Sequence, residues 1–131
     1  ETIRIDAYQI SELLINNAGY PLNWEIQPLA GVKGIGFSDP AKNMTNYLLR
    51  AKLDRFNTIC QTPTGHQDIK KILEIRNEMT ITFIEHTLPS DTTWVCKSSV
   101  PTNKKVAFNV SRTVSVEGRA FGEIVVEVWK I

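Results

Sequence analysis

Two cysteines and two histidines are the residues whose types are best suited to chemistry: Cys60, His66, His86 and Cys96. Together they match a Cys₂His₂ zinc set, since thiolate sulfur and imidazole nitrogen are the ligands zinc takes in closed tetrahedral sites. The intervals of five, nineteen and nine intervening residues are unlike a zinc finger or ribbon. His86 is expected at a strand end and His66 in the first turn of a helix, both exposed. A disulfide between Cys60 and Cys96 is preferred over zinc if the domain is extracellular. It would tie a helical half of the chain to a β half and contribute about 3 kcal/mol or more on the chain-entropy model. Two buried free thiols are the third reading. No metal and no cofactor is assigned.

Three other groupings could do chemistry. Gly31, Gly34 and Gly36 in "GVKGIG" stand in front of an expected helix, and free amides at a helix N-terminus attract phosphate. Their spacing is the reverse of the dinucleotide fingerprint, and no parallel βαβ context surrounds them, so tight turns and close packing are the expected use. Glu123 and Glu127 lie four apart on an expected strand and share a face. With Glu85 they could form an acidic patch, for which a solvated outer face is the commoner meaning. No Gly-x-Ser-x-Gly occurs, and neither histidine has a neighbouring acid and nucleophile in sequence. No catalytic residue is assigned, and the chain is not read as an enzyme. Two N-glycosylation sequons, Asn43–Met44–Thr45 and Asn109–Val110–Ser111, leave Asn43 and Asn109 as candidate acceptors facing solvent.

The elements that must position these residues follow from periodicity. Residues 3–18 read as a helix with Ile3, Ala7, Ile10 and Leu14 on one stripe, widened by Tyr8 and Leu13. Arg4, Gln9, Glu12 and Asn16 take the opposite side. Gly19 then supplies a left-handed stop and Pro21 cannot continue the helix. A short extended segment is expected at 31–37. Ser38 or Asp39 is expected to cap a second helix with Pro40 in its first turn, running to Phe56. Its polar side would hold Lys42, Asn43, Asn46, Arg50 and Asp54, with Arg50 and Asp54 as a pair four apart. Thr64 and Gln67 have capping-box spacing ahead of a third helix that turns Ile69, Ile72 and Leu73 inward.

After Arg76 the period changes to two. Met79, Ile81 and Phe83 alternate with Thr80, Thr82 and Ile84, as in a strand. "TTWVCKSSV" reads as a weaker strand between turns at Pro89–Ser90–Asp91 and Pro101–Thr102–Asn103. Val106 to Val116 alternates too, with Arg112 as a break, and Ala120 to Lys130 is the last strand. Trp24, Trp94 and Trp129 read as core or rim residues, with Trp129 opposite the Ile124/Val126/Val128 face and covering another surface. The class is therefore α+β: N-terminal helices packed on an antiparallel β-meander, in one domain that is helix-rich over 1–76 and β-rich over 77–131.

The bulk numbers suit that plan. The 131 residues are 42% apolar and 22% charged, ordinary values for a folded domain. Fifteen basic and fourteen acidic side chains are spread over both halves, which leaves no electrostatic footprint for nucleic acid. No run of about eighteen apolar residues could cross a bilayer as a helix. The chain opens on Glu1 rather than Met, and a start after a processed targeting segment is the expectation.

"GYPLNWE", "VKGIGFSD", "NYLLRAKLDRF" and "GEIVVEVWKI", in this order, resemble archaeal type IV pilin-like surface proteins made with a class III signal peptide. The shared marks are the Gly-x-Pro-x-x-Trp turn of Gly19, Pro21 and Trp24, then Gly34, Gly36, Leu49, Lys52 and Leu53, and finally Val128–Trp129. The resemblance implies a short basic leader and a hydrophobic anchor helix upstream, followed by this extracellular head at the face of the cell membrane. The implied partners are other pilin-like subunits or surface proteins, and the membrane only through the segment upstream. It implies assembly, adhesion or protein contact rather than chemistry. In that setting the first helix should leave Glu1 at the periphery and pack inward by Leu14. The alternative is a small secreted or cytosolic ligand-binding module.

Overall fold

A computed structural model describes residues 2–39, 41, 46–86, 90–102, 104–118 and 120–130. Helix α1 (Thr2–Asn16) leads to a two-residue ribbon, β1 (Gly19–Tyr20) with β2 (Gly34–Ile35). A short strand, β3 (Tyr47–Leu48), precedes helices α2 (Arg50–Cys60) and α3 (Gly65–Leu73). Four longer strands follow: β4 (Glu78–His86), β5 (Thr92–Cys96), β6 (Ala107–Val116) and β7 (Ala120–Trp129). The class is α+β, with helices on one face of a five-stranded sheet of order β3-β6-β7-β4-β5.

That order departs from a plain meander. β4/β5 and β6/β7 are antiparallel hairpin partners, but β7 returns to pair with β4, so β7 occupies the centre of the sheet. β3 adds a parallel edge to β6, making the sheet mixed.

Helix α1 crosses β6 and β7. Ala7, Ile10 and Leu14 are fully buried beneath it, and Ile3 packs partly against the same core. The stripe is rotated from the expected one: Ser11 and Ile15 are inside, while Tyr8 and Leu13 are 52% and 39% exposed. Arg112 explains the polar intrusion. It does not break β6 but sits in register with Ile124, and its guanidinium reaches Glu12 Oε1 at 2.9 Å and Ser11 Oγ at 3.4 Å. The long aliphatic stem lets a charged residue occupy a core-side strand position while its head reaches the rim. Arg4 and Glu12 stay outside, as expected, and Arg4 lies over the Phe108 ring. Glu1 lies outside the described residues.

The expected long second helix is corrected. Tyr47 and Leu48 form a strand, and α2 begins only at Arg50. Asn46 takes a left-handed φ of 56°, a conformation asparagine tolerates and a helix does not. The fully buried Leu48 then enters the core from the sheet edge, in register with Val116. Pro40, Lys42, Asn43 and Met44 lie outside the described residues. The third helix starts where expected, but the Thr64 hydroxyl bonds Asp68 Oδ2 rather than forming a capping box with Gln67.

Alternation sorts the sheet into two faces. Met79, Ile81, Phe83, Val110, Val114, Ile124, Val126 and Val128 face the helices and are buried. Trp129 is on the other face and is buried as well, bordered by the 97–102 segment. Phe37, Phe56, Trp94 and Phe83 form a chain of ring contacts with centroids 5.2–5.6 Å apart, linking the ribbon, α2 and the hairpin.

Candidate functional site

The corner after α1 is tied by hydrogen bonds from several segments of the chain. The helix ends at Asn16, two residues short of the expected limit, because other segments take its last carbonyls. Phe37 N–H donates to Leu14 O at 2.8 Å and Ser38 N–H to Asn17 O at 3.2 Å. Asn17 Oδ1 accepts from the Gly19 amide at 2.9 Å, and Gly19 has a φ of +90°. A side chain there would be strained and would also meet the Trp24 indole. The Tyr20–Pro21 peptide is cis, and Trp24 N–H donates back to Pro21 O at 2.9 Å.

Trp24 is fully buried, and its indole N–H donates to Gly36 O at 2.8 Å. Lys52 comes up from α2, also fully buried, and its ammonium donates to Ala18 O at 2.6 Å and Ser38 O at 3.1 Å. Burial pushes the Lys52 pKa down, partly opposed by the charges of Glu25 and Asp39. Gly19, Pro21, Trp24, Gly36 and Lys52 are thus parts of one hydrogen-bonded unit. Around it the surface is apolar: Tyr20, Leu22 and Ile26 are 69%, 59% and 75% exposed. Tyr20 also lines a cleft of about 300 Å³ with Leu13, Lys33, Ile35, Ile72 and Glu74.

Cys60 at the end of α2 and Cys96 at the end of β5 are joined in a disulfide, with Cα atoms 5.6 Å apart. Each sulfur is bonded to the other, so neither is a thiolate ligand. Both histidines are half-buried rather than exposed. His66 Nε2 is 2.7 Å from Met79 O, which assigns the proton to that nitrogen, and Nδ1 is buried with no partner among the described residues. His86 lies between Asp91 (Nδ1 to Oδ2, 3.2 Å) and Glu123 (Nε2 to Oε2, 3.8 Å), against the Phe121 ring. Among the described residues no three His, Cys, Asp or Glu side chains are grouped to hold a metal.

The acidic patch is corrected. Glu123 and Glu127 do share the outer face, but Glu85 is in register with Gly122 and so lies on the helix side. There its carboxylate accepts two bonds from Arg50, Nη1 to Oε1 at 2.8 Å and Nη2 to Oε2 at 2.9 Å. That pair holds the Glu85 carboxyl below its usual range and raises Arg50, a direction set mainly by the hydrogen bonds. Arg50 therefore turns to Glu85 rather than to Asp54. Thirty-five residues separate Arg50 from Glu85, and no local pattern announces the pair. The glycine segment does not cradle a helix start either. Gly34 pairs with Tyr20 in the ribbon, a side chain at Gly36 would collide with the Asn17 carbonyl, and α2 begins well downstream.

Of the two sequon asparagines, Asn43 lies outside the described residues, and Asn109 is exposed on β6. No described helix is long and apolar enough to cross a membrane. Compared with protein-family models, with curated proteins and with solved structures, the chain matches none.

Proposed function

We propose that this chain is the non-catalytic extracellular head of a membrane-anchored, pilin-like archaeal surface protein, working through protein contacts in filament assembly or adhesion. The observation that carries the reading is the corner. The short motifs behind the resemblance stand far apart in sequence, yet Trp24 bonds Gly36 and Lys52 bonds the carbonyls of Ala18 and Ser38. Three of the four motifs behind the resemblance meet at this corner, which supports the reading. A helix stop, a buried tryptophan and a buried lysine here fix the angle at which the chain turns from α1 into the rest of the head.

Two further features support it. The Cys60–Cys96 disulfide suits an oxidising compartment outside the cytosol. Exposed Tyr20, Leu22 and Ile26 offer an apolar surface of the kind protein partners cover.

The test is the location of the full-length product in the cells that make it. It should partition with membranes or filaments, and an external protease should remove the head from intact cells. A product found in the cytosol and protected from external protease would overturn the proposal.

A further inference from the structure

We infer that Asn109 carries an N-linked oligosaccharide, an inference that rests on the extracellular placement proposed above. Asn109, Val110 and Ser111 occupy the middle of β6. Alternation turns Val110 into the core, where it is 7% exposed, and presents Asn109 and Ser111 together on the outer face, both exposed. The amide to be modified and the hydroxyl two residues on that the transferase reads are thus accessible from the same side.

The surroundings leave room for a sugar. Ser111, Thr113 and Ser115 continue the same face with small, exposed side chains. β3 pairs with β6 only at Ser115 and Val116, so among the described residues no strand flanks β6 beside Asn109 on that edge. The helices cover the opposite face of the sheet. A glycan rooted here would also shield an open strand edge, which otherwise invites pairing with another chain. It would leave α1 and the Trp24 corner free for partners.

The step is a glycosyl transfer from a lipid-phosphate-linked oligosaccharide at the outer membrane face. The Asn109 side-chain nitrogen bonds to the anomeric carbon and gives up one proton to a base of the transferase. The carbon–oxygen bond to phosphate breaks, and the lipid phosphate leaves with that electron pair.

The experiment is mass spectrometry of tryptic peptide 106–112 from the protein isolated from the cells that make it, with surface exposure and disulfide state scored on the same sample. The expected result is a peptide heavier by whole sugar residues. Asn109→Gln and Ser111→Ala should each abolish the increment, while Ser111→Thr keeps it and the unfolding midpoint of Asn109→Gln stays that of the parent. An unmodified peptide from a surface-exposed, disulfide-closed protein overturns the glycan and leaves the surface reading standing. So does an increment confined to the peptide containing Asn43. An unmodified, protease-protected cytosolic protein overturns both.

Discussion

The ammonium of Lys52 lies 2.6 Å from the carbonyl oxygen of Ala18, with no solvent in reach of the side chain. A lysine is among the residues least often fully buried, and one so placed must return its lost hydration as hydrogen bonds. Ala18 O and Ser38 O supply two of them, and Lys52 thereby joins α2 to both strands of chain that leave the corner. Lys52→Met keeps most of the volume but leaves the part-buried carbonyls of Ala18 and Ser38 without their charged donor. The expected loss is about 2 kcal/mol or more, seen as a lower urea midpoint with an unchanged slope. An unchanged midpoint would mean that desolvation of the ammonium cancels its bonds.

Arg50 and Glu85 give the fold a pH dependence with a definite sign. The folded-state Glu85 pKa lies below the ordinary carboxyl value of 4.5, chiefly through the Arg50 hydrogen bonds. The unfolded chain therefore holds more protons at this site in the window below 4.5. The pair's contribution is fully present above that value and is lost as pH falls through the depressed folded value. With the Arg50 side chain 41% exposed, solvent screens part of the attraction. Glu85→Gln should cost about 1–2 kcal/mol at neutral pH. The gap between parent and variant should close in acid. A gap that persists there would assign the loss to packing rather than charge.

The parts that were legible in the sequence are those written in local period. Ala7, Ile10 and Leu14 repeat at helical steps, and Met79, Ile81 and Phe83 alternate, so α1 and β4 follow from neighbours alone. Apart from the Thr64 cap, which turns to its neighbour Asp68, the misreadings depend on partners far along the chain. Leu48 fits a helical row, but pairing with Val116 makes it a strand residue. Glu85 reads as a companion of Glu123 until the register with Gly122 puts it on the other face. Gly19 and Pro21 read as the helix stop and Trp24 as a packed residue beside it, yet nothing near Lys52 announces that its ammonium closes that corner. Register and burial of charge are set by tertiary pairing, which periodicity does not encode.

The disulfide ties the end of α2 to an edge strand, across a sequence separation of 36 residues. In the chain-entropy model a loop of that size restrains the unfolded state by about 3–4 kcal/mol. The double variant Cys60→Ala/Cys96→Ala should lose about that much, and reduction of the parent protein should produce a similar drop in thermal midpoint. Because Cys96 is fully buried in the core, alanine is the suitable replacement; serine would add an unpaired hydroxyl. Equal midpoints for parent and double variant would make the bridge incidental to stability.

The facing of α1 is decided by two adjacent leucines. Leu14 is fully buried over the sheet, and Leu13 is 39% exposed at the rim of the cleft. A helix of fifteen residues is marginal alone, so its stability comes from the face it buries. Leu14→Ala removes three carbons from a packed interior and should cost about 2–5 kcal/mol, with the spread set by how far the cavity collapses. Leu13→Ala removes the same atoms from a half-wetted site and should stay within about 0.5 kcal/mol. Urea unfolding of the two variants under one condition separates the cases. Equal losses would mean that the helix is rotated from the orientation described, with Leu13 packed as tightly as Leu14. Two negligible losses would mean that α1 is a loose stalk contributing nothing to the head. A large loss at Leu14 alone requires the sheet to be what holds the helix, and with it the direction in which the chain enters the domain.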